Sequence, residues 1–179
     1  MAQKNVKIFC VLSITAFVIL SFLNVEIIDS ISYAATIAAV VDLAYDRFLW
    51  RINPFEKTPR LYGIYKASLC SSFNNGSAYM CKVTIRQTLS SITILEESEN
   101  GYCESVTATL SQSTPHGLWI LYYTYLTHPK KNPRSKHKDD MHYGSCVLFV
   151  KNRDLLEGGY YTDRINQTSG SVKFERWSS

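Results

Sequence analysis

Residues 79–98 read Y-M-C-K-V-T-I-R-Q-T-L-S-S-I-T-I-L-E-E-S. The first half alternates: Tyr79, Cys81, Val83 and Ile85 share one face, while Lys82, Thr84 and Arg86 share the other. A period of two is that of a strand with one face buried. Outward from this stretch, segments of about eight residues recur between Gly, Asn, Ser and Pro clusters, the pattern of an all-β sandwich or barrel. It predicts strands at about 61–70, 79–87, 91–98, 103–111, 117–126, 142–150, 155–164 and 170–177. In the first, Leu61, Gly63, Tyr65, Ala67 and Leu69 share a face; in the last, Val172, Phe174 and Arg176 alternate with Ser171, Lys173 and Glu175. Eight strands are enough to close a barrel around side chains or one small ligand. The expected fold is an all-β, eight-stranded, up-and-down antiparallel barrel, with an open sandwich as the alternative. Up-and-down connection sets the turns at 88–90, 112–116 and 151–154 at the end where the chain enters. Loops 71–78, 98–102, 127–141 and 164–169 gather at the far rim, where a soluble ligand enters most easily.

The chain before the strands is of another kind. No charged residue occurs from Ile8 to Leu23, and a second, Ala-rich apolar stretch runs from Ile31 to Trp50. Each approaches the roughly 20 residues that cross a bilayer as a helix. The reading is a transmembrane hairpin over residues 1–52 (spans about 6–25 and 30–50), a linker over 53–60, and the barrel over 61–179. An acidic link, Asn24 to Ser30, joins the spans. Lys4 and Lys7 precede them, and Arg47, Arg51, Lys57 and Arg60 follow, so the positive-inside rule puts both termini in the cytoplasm. A signal peptide is the competing reading, although Ser21 to Glu26 offers no small-x-small cleavage pattern. Asp42 is unusual, because a carboxylate at membrane depth costs on the order of 2.5–3.5 kcal/mol. With Ala35, Ala38 and Ala39 it marks a candidate helix-association face; the alternative is that Asp42, Asp46 and Arg47 sit at the interface.

The whole chain has 179 residues, net charge +4, 46% hydrophobic and 13% aromatic residues. The charge is too mild for a dedicated DNA or RNA binder, and the aromatic content argues against disorder. Five cysteines without a C-x-x-C spacing make a poor disulfide framework or zinc site, so reduced thiols in a cytosolic domain are expected. The sequons Asn75-Gly-Ser77 and Asn166-Gln-Thr168 point the other way but arise readily by chance.

Chemistry-bearing residues concentrate at the predicted far rim. The run from His128 to Lys138 is a basic loop that either attracts an anion or is simply solvated. In Gly158-Gly-Tyr-Tyr-Thr-Asp-Arg164, Tyr160, Thr162 and Arg164 share a face: tyrosine stacks a base and arginine forks a phosphate. The competing reading has the glycines relieving a strand bend and Arg164 pairing with a carboxylate. His142 and Gly144 open the sixth strand at this end. Of Tyr122, Tyr123 and Tyr125, only Tyr125 is near enough to the rim to touch a ligand; Gln87 and Thr88 read as turn structure. No hydrolase, Walker, zinc-protease or dinucleotide motif occurs, and His116, His128, His137 and His142 are scattered, so no catalytic residue, metal or cofactor is expected.

L-Y-G-I-Y at 61–65, V-T-I-R-Q-T-L-S-S-I-T-I at 83–94, Y-Y-T-Y-L at 122–126, H-Y-G at 142–144 and G-G-Y-Y-T-D-R at 158–164 follow two apolar spans. Together these resemble the SMODS-associating two-transmembrane, beta-strand-rich effector family, the CD-NTase-associated β-barrel effectors of CBASS anti-phage defence. The resemblance implies a minimal lipocalin-like barrel that binds a cyclic dinucleotide made by a partner nucleotidyltransferase on infection. It further implies homo-oligomerisation of the hairpins in the bacterial inner membrane, disruption of the bilayer and abortive infection. The shared rim position selects Tyr160, Thr162 and Arg164, then Tyr125 and His142, as ligand contacts. A membrane-tethered lipocalin-like carrier of a small apolar ligand is the alternative, and a structural protein whose barrel recruits a protein partner is a third reading.

Overall fold

A computed structural model describes residues 2–22, 26–71, 78–113, 117–130, 141–163 and 167–177. Arg164, His116, His137, most of the basic loop (131–140), the first sequon and Asn166 of the second lie outside the described residues. The chain divides into two compact units, residues 1–58 with 88–90, and residues 59–87 with 91–179.

The first unit holds α1 (Ala2–Phe22), α2 (Ile27–Arg47) and a short 3-10 turn, Leu49–Arg51. Among the described residues one helical stretch, Ile28–Arg47, is long and apolar enough to cross a membrane; Cys10–Leu20 is a shorter apolar one. The second helix starts earlier than the hydropathy pattern predicts. Glu26 is its N-cap and Asp29 lies in its first turn, where a carboxylate is favoured by the helix dipole, so the expected acidic link is largely helix. Ser30, Ala34 and Ala38, four residues apart, are 0%, 3% and 0% exposed. Small side chains on that line permit close approach, and α1 packs with α2. Large apolar side chains face outward instead: Val11, Ile14 and Ile19 on α1, and Ile31, Ile37 and Val40 on α2. The hydroxyls of Thr15, Ser32 and Thr36 donate back to the carbonyls of Val11, Ile28 and Ser32, which satisfies them without water. Within the same unit the Asp46 carboxylate accepts the Ser90 N–H at 2.8 Å.

The second unit is a closed antiparallel barrel of β1 (Gly63–Ser71), β2 (Ala78–Gln87), β3 (Ile92–Ser98), β4 (Gly101–Gln112), β5 (Trp119–Pro129), β6 (His142–Val150), β7 (Leu155–Thr162) and β8 (Ser169–Arg176). Each strand pairs with its chain neighbours, and β1 pairs with β8 from Tyr65↔Arg176 to Ser71↔Gly170. Closure excludes the open sandwich and agrees with the up-and-down order. Alternate residues fill the interior: Tyr65, Val83, Leu121, Leu148, Leu156 and Phe174 are fully buried.

At the entry end the barrel is closed by polar locks. The buried Gln87 amide accepts the Leu61 N–H at 2.7 Å and donates to the Pro59 carbonyl at 2.9 Å. Arg176 lies over the Tyr65 ring at 5.5 Å and donates to the Tyr62 carbonyl at 2.5 Å. The wall is not uniform. In the β4–β5 ladder Val106 bulges out between Ser105 and Thr107, and on the other edge of β4 the β3–β4 ladder runs from Leu95↔Glu104 to Ser98↔Gly101. Ile94 N–H, next in line, donates to the Ser105 hydroxyl at 2.9 Å instead.

Several strand boundaries differ from expectation by one to three residues. β5 runs on to Pro129 because β4 starts at Gly101 and supplies partners for it, Tyr102↔His128 among them. His128 is therefore a strand residue. Its ring stacks on Tyr102 at 4.6 Å and its Nε2 contacts Glu104 at 2.9 Å. β7 ends at Thr162, ahead of the predicted 164.

Candidate functional site

Strand register fixes the interior at the far end. Thr127 is opposite His142, Tyr125 opposite Gly144, Gly144 opposite Thr162, and Cys146 opposite Tyr160. The described members of the predicted contact set, Tyr125, His142, Tyr160 and Thr162, thus occupy neighbouring inward positions on β5, β6 and β7. Arg164 lies outside the described residues.

Their local roles differ. The Tyr125 ring lies where a Cβ on Gly144 would stand, so glycine there leaves room for that ring against the inner face of β6. Tyr160 is partly buried against the core. His142 Nε2 is 3.2 Å from the Thr127 hydroxyl, which is 3.3 Å from the Cys103 sulfur. The Thr162 hydroxyl lies 2.8 Å from that of Thr168 and accepts the Thr168 N–H at 3.2 Å, so it shapes the β7–β8 connection. Asp163, outward as the alternation predicts, accepts the Tyr143 N–H at 2.9 Å. A Cβ on Gly158 would collide with the Val147 carbonyl, which gives that glycine a packing reason, whereas one on Gly159 would have room.

Beside these lies a group that the sequence reading passed over. Glu96 is only 8% exposed, and its carboxyl accepts the Tyr123 O–H at 2.6 Å. Burial raises the Glu96 carboxyl above the usual carboxylate range, and the Tyr123 hydrogen bond only partly offsets this. Among the described residues no Lys or Arg pairs with it. The signal was present in the alternation: Ile92, Ile94 and Glu96 are buried, whereas Thr93 and Glu97 are exposed. Burial likewise pushes the phenols of Tyr123 and Tyr125 well up, each raised further by Glu96. The Cys146 thiol is pushed up to about 12, mainly by burial, and Cys81 higher still. Such thiols are not nucleophiles at neutral pH. All five cysteines are free, and no metal-holding cluster occurs among the described residues.

A closed eight-stranded barrel whose far interior joins tyrosine faces to hydroxyl, imidazole and carboxyl groups has the build of a small-molecule receptor. Residues 56–176 match the family model described as Cap15, cyclic dinucleotide receptor domain. The CD-NTase-associated protein 15 of Staphylococcus schleiferi is 31% identical over 152 residues, covering 83% of this chain and 80% of that protein. The chain belongs to the Cap15 family, and the resemblance read from its motifs is confirmed.

Proposed function

We propose that this chain is a membrane-anchored CBASS effector whose barrel binds a cyclic dinucleotide in its far interior. The observation that carries the reading is the neighbouring placement of Tyr125, Tyr160 and His142 inside a barrel of the cyclic-dinucleotide-receptor family. Tyrosine faces stack bases at about 1–3 kcal/mol each. Arg164, two residues past the end of β7, supplies a phosphate fork. The nucleotide comes from a partner nucleotidyltransferase, and the barrel acts as a receptor without catalysis. Both helices insert in the bacterial inner membrane with the termini in the cytoplasm. On binding, the hairpins self-associate and disrupt the bilayer, which ends the infected cell. Ala35 and Ala39 are exposed on α2 and serve that association with Asp42; Ala38, at 0% exposure, belongs to the seam within the hairpin.

The test is calorimetric titration of the full chain in detergent with cyclic di-GMP, cyclic di-AMP and cyclic GMP–AMP, with linear dinucleotides as controls. One cyclic species binds saturably, and Tyr160→Ala weakens it by about tenfold or more. In dye-loaded vesicles carrying the chain, the same nucleotide releases dye. Absence of binding by any cyclic species overturns the reading.

A further inference from the structure

We propose that Glu96 reads the base in this site and selects a guanine-bearing cyclic dinucleotide, its carboxylate accepting the adjacent N1–H and N2–H donors of the guanine edge. The inference rests on the far interior being the nucleotide site, as proposed above.

Glu96 is one inward position below Ser98, the last residue of β3, hence about 7 Å inside the rim. Tyr123 O–H, donating from β5, fixes its carboxyl plane. A carboxylate can accept about four hydrogen bonds. Among the described residues this one takes a single bond, from Tyr123. A carboxyl buried without a cation is costly, and an apolar residue would fill the same rung at less cost. The missing donors are therefore sought in the ligand. Of the common bases, guanine alone sets two N–H donors side by side on its pairing edge. Adenine and cytosine each set a ring-nitrogen lone pair beside an amino group, and uracil offers one N–H between carbonyls. Against a carboxylate those lone pairs repel, whereas guanine makes two charge-assisted bonds.

The groups facing Glu96 agree with this. They are Cys81 from β2, Tyr123 and Tyr125 from β5, and Cys146 from β6, with Cys103 of β4 and Tyr160 of β7 next to them. None is a cation, and His142 contacts Thr127. Guanine binding then favours the ionised carboxyl and releases its proton to solvent.

The full chain in detergent is titrated with cyclic di-GMP, cyclic GMP–AMP and cyclic di-AMP, alongside E96Q, which keeps an acceptor for Tyr123. The wild-type protein prefers the guanine-bearing ligands. E96Q weakens them by on the order of 100-fold while leaving cyclic di-AMP within a few-fold. Guanine-ligand affinity of the wild-type protein falls as pH is lowered and Glu96 protonates. Should E96Q fail to fold by circular dichroism, the wild-type base panel and pH series decide alone. Equal affinity for cyclic di-AMP, or unchanged guanine binding by folded E96Q, overturns the role of Glu96 and leaves the receptor reading intact. No binding of any cyclic dinucleotide overturns both.

Discussion

At Glu96, burial has a consequence for the empty barrel that can be measured without ligand. The folded carboxyl titrates above its ordinary range. Stability from this group is therefore highest at pH values below the ordinary carboxylate range and falls as pH rises toward the raised folded value. Glu96→Gln removes that loss. Its melting temperature at pH 7 should exceed that of the wild-type protein by roughly 2–5 °C, with the gap vanishing near pH 4. Scanning calorimetry at both values checks the sign, and a gap that persists or grows at pH 4 contradicts it. Gly144 makes the opposite case. Gly144→Ala drives a methyl into the Tyr125 ring, destabilising the barrel by about 1–3 kcal/mol in urea unfolding. Because Tyr125 must swing away, nucleotide affinity should drop as well.

Among the elements, alternation recurring along residues 61–177 was enough to place the strands, because period two survives wherever one face is buried, whereas closure over an open sandwich is settled by the β1–β8 pairing. What it missed depended on partners distant in sequence. Glu96 reads as one more surface acid until Tyr123, 27 residues on, is seen to meet it. Thr162 reads as a ligand contact alone, whereas its hydroxyl also meets that of Thr168. In α2 the alanines looked alike because composition does not resolve helical phase; Ala38 faces the seam and Ala35 faces outward. Ala38→Leu should therefore overfill the seam, at a cost of about 1–3 kcal/mol, and cut the yield of an α1–α2 cysteine crosslink. Ala35→Leu should leave that crosslink unchanged while reducing nucleotide-induced oligomers in chemical crosslinking. At the entry end, Gln87→Ala strands the buried Leu61 N–H, costing about 1–3 kcal/mol. Hydrogen exchange at Leu61 should accelerate accordingly.

For the barrel as a whole, closure by β1 and β8 removes every full-length free edge. A chain ending at Thr162 lacks β8 and bares the edges of both β1 and β7. It should aggregate by light scattering at concentrations where the full chain stays dispersed. The cylinder is nonetheless laced unevenly. Its β3–β4 ladder is the shortest, from Leu95 to Ser98, extended only by the Ile94 bond to the Ser105 hydroxyl, and Glu96 lies in that stretch. A hoop strained from within parts at its shortest weld. If Glu96 holds the guest as proposed, the gripping rung lies in the shortest ladder of the cylinder, and occupancy should register first as a change of girth along that one line.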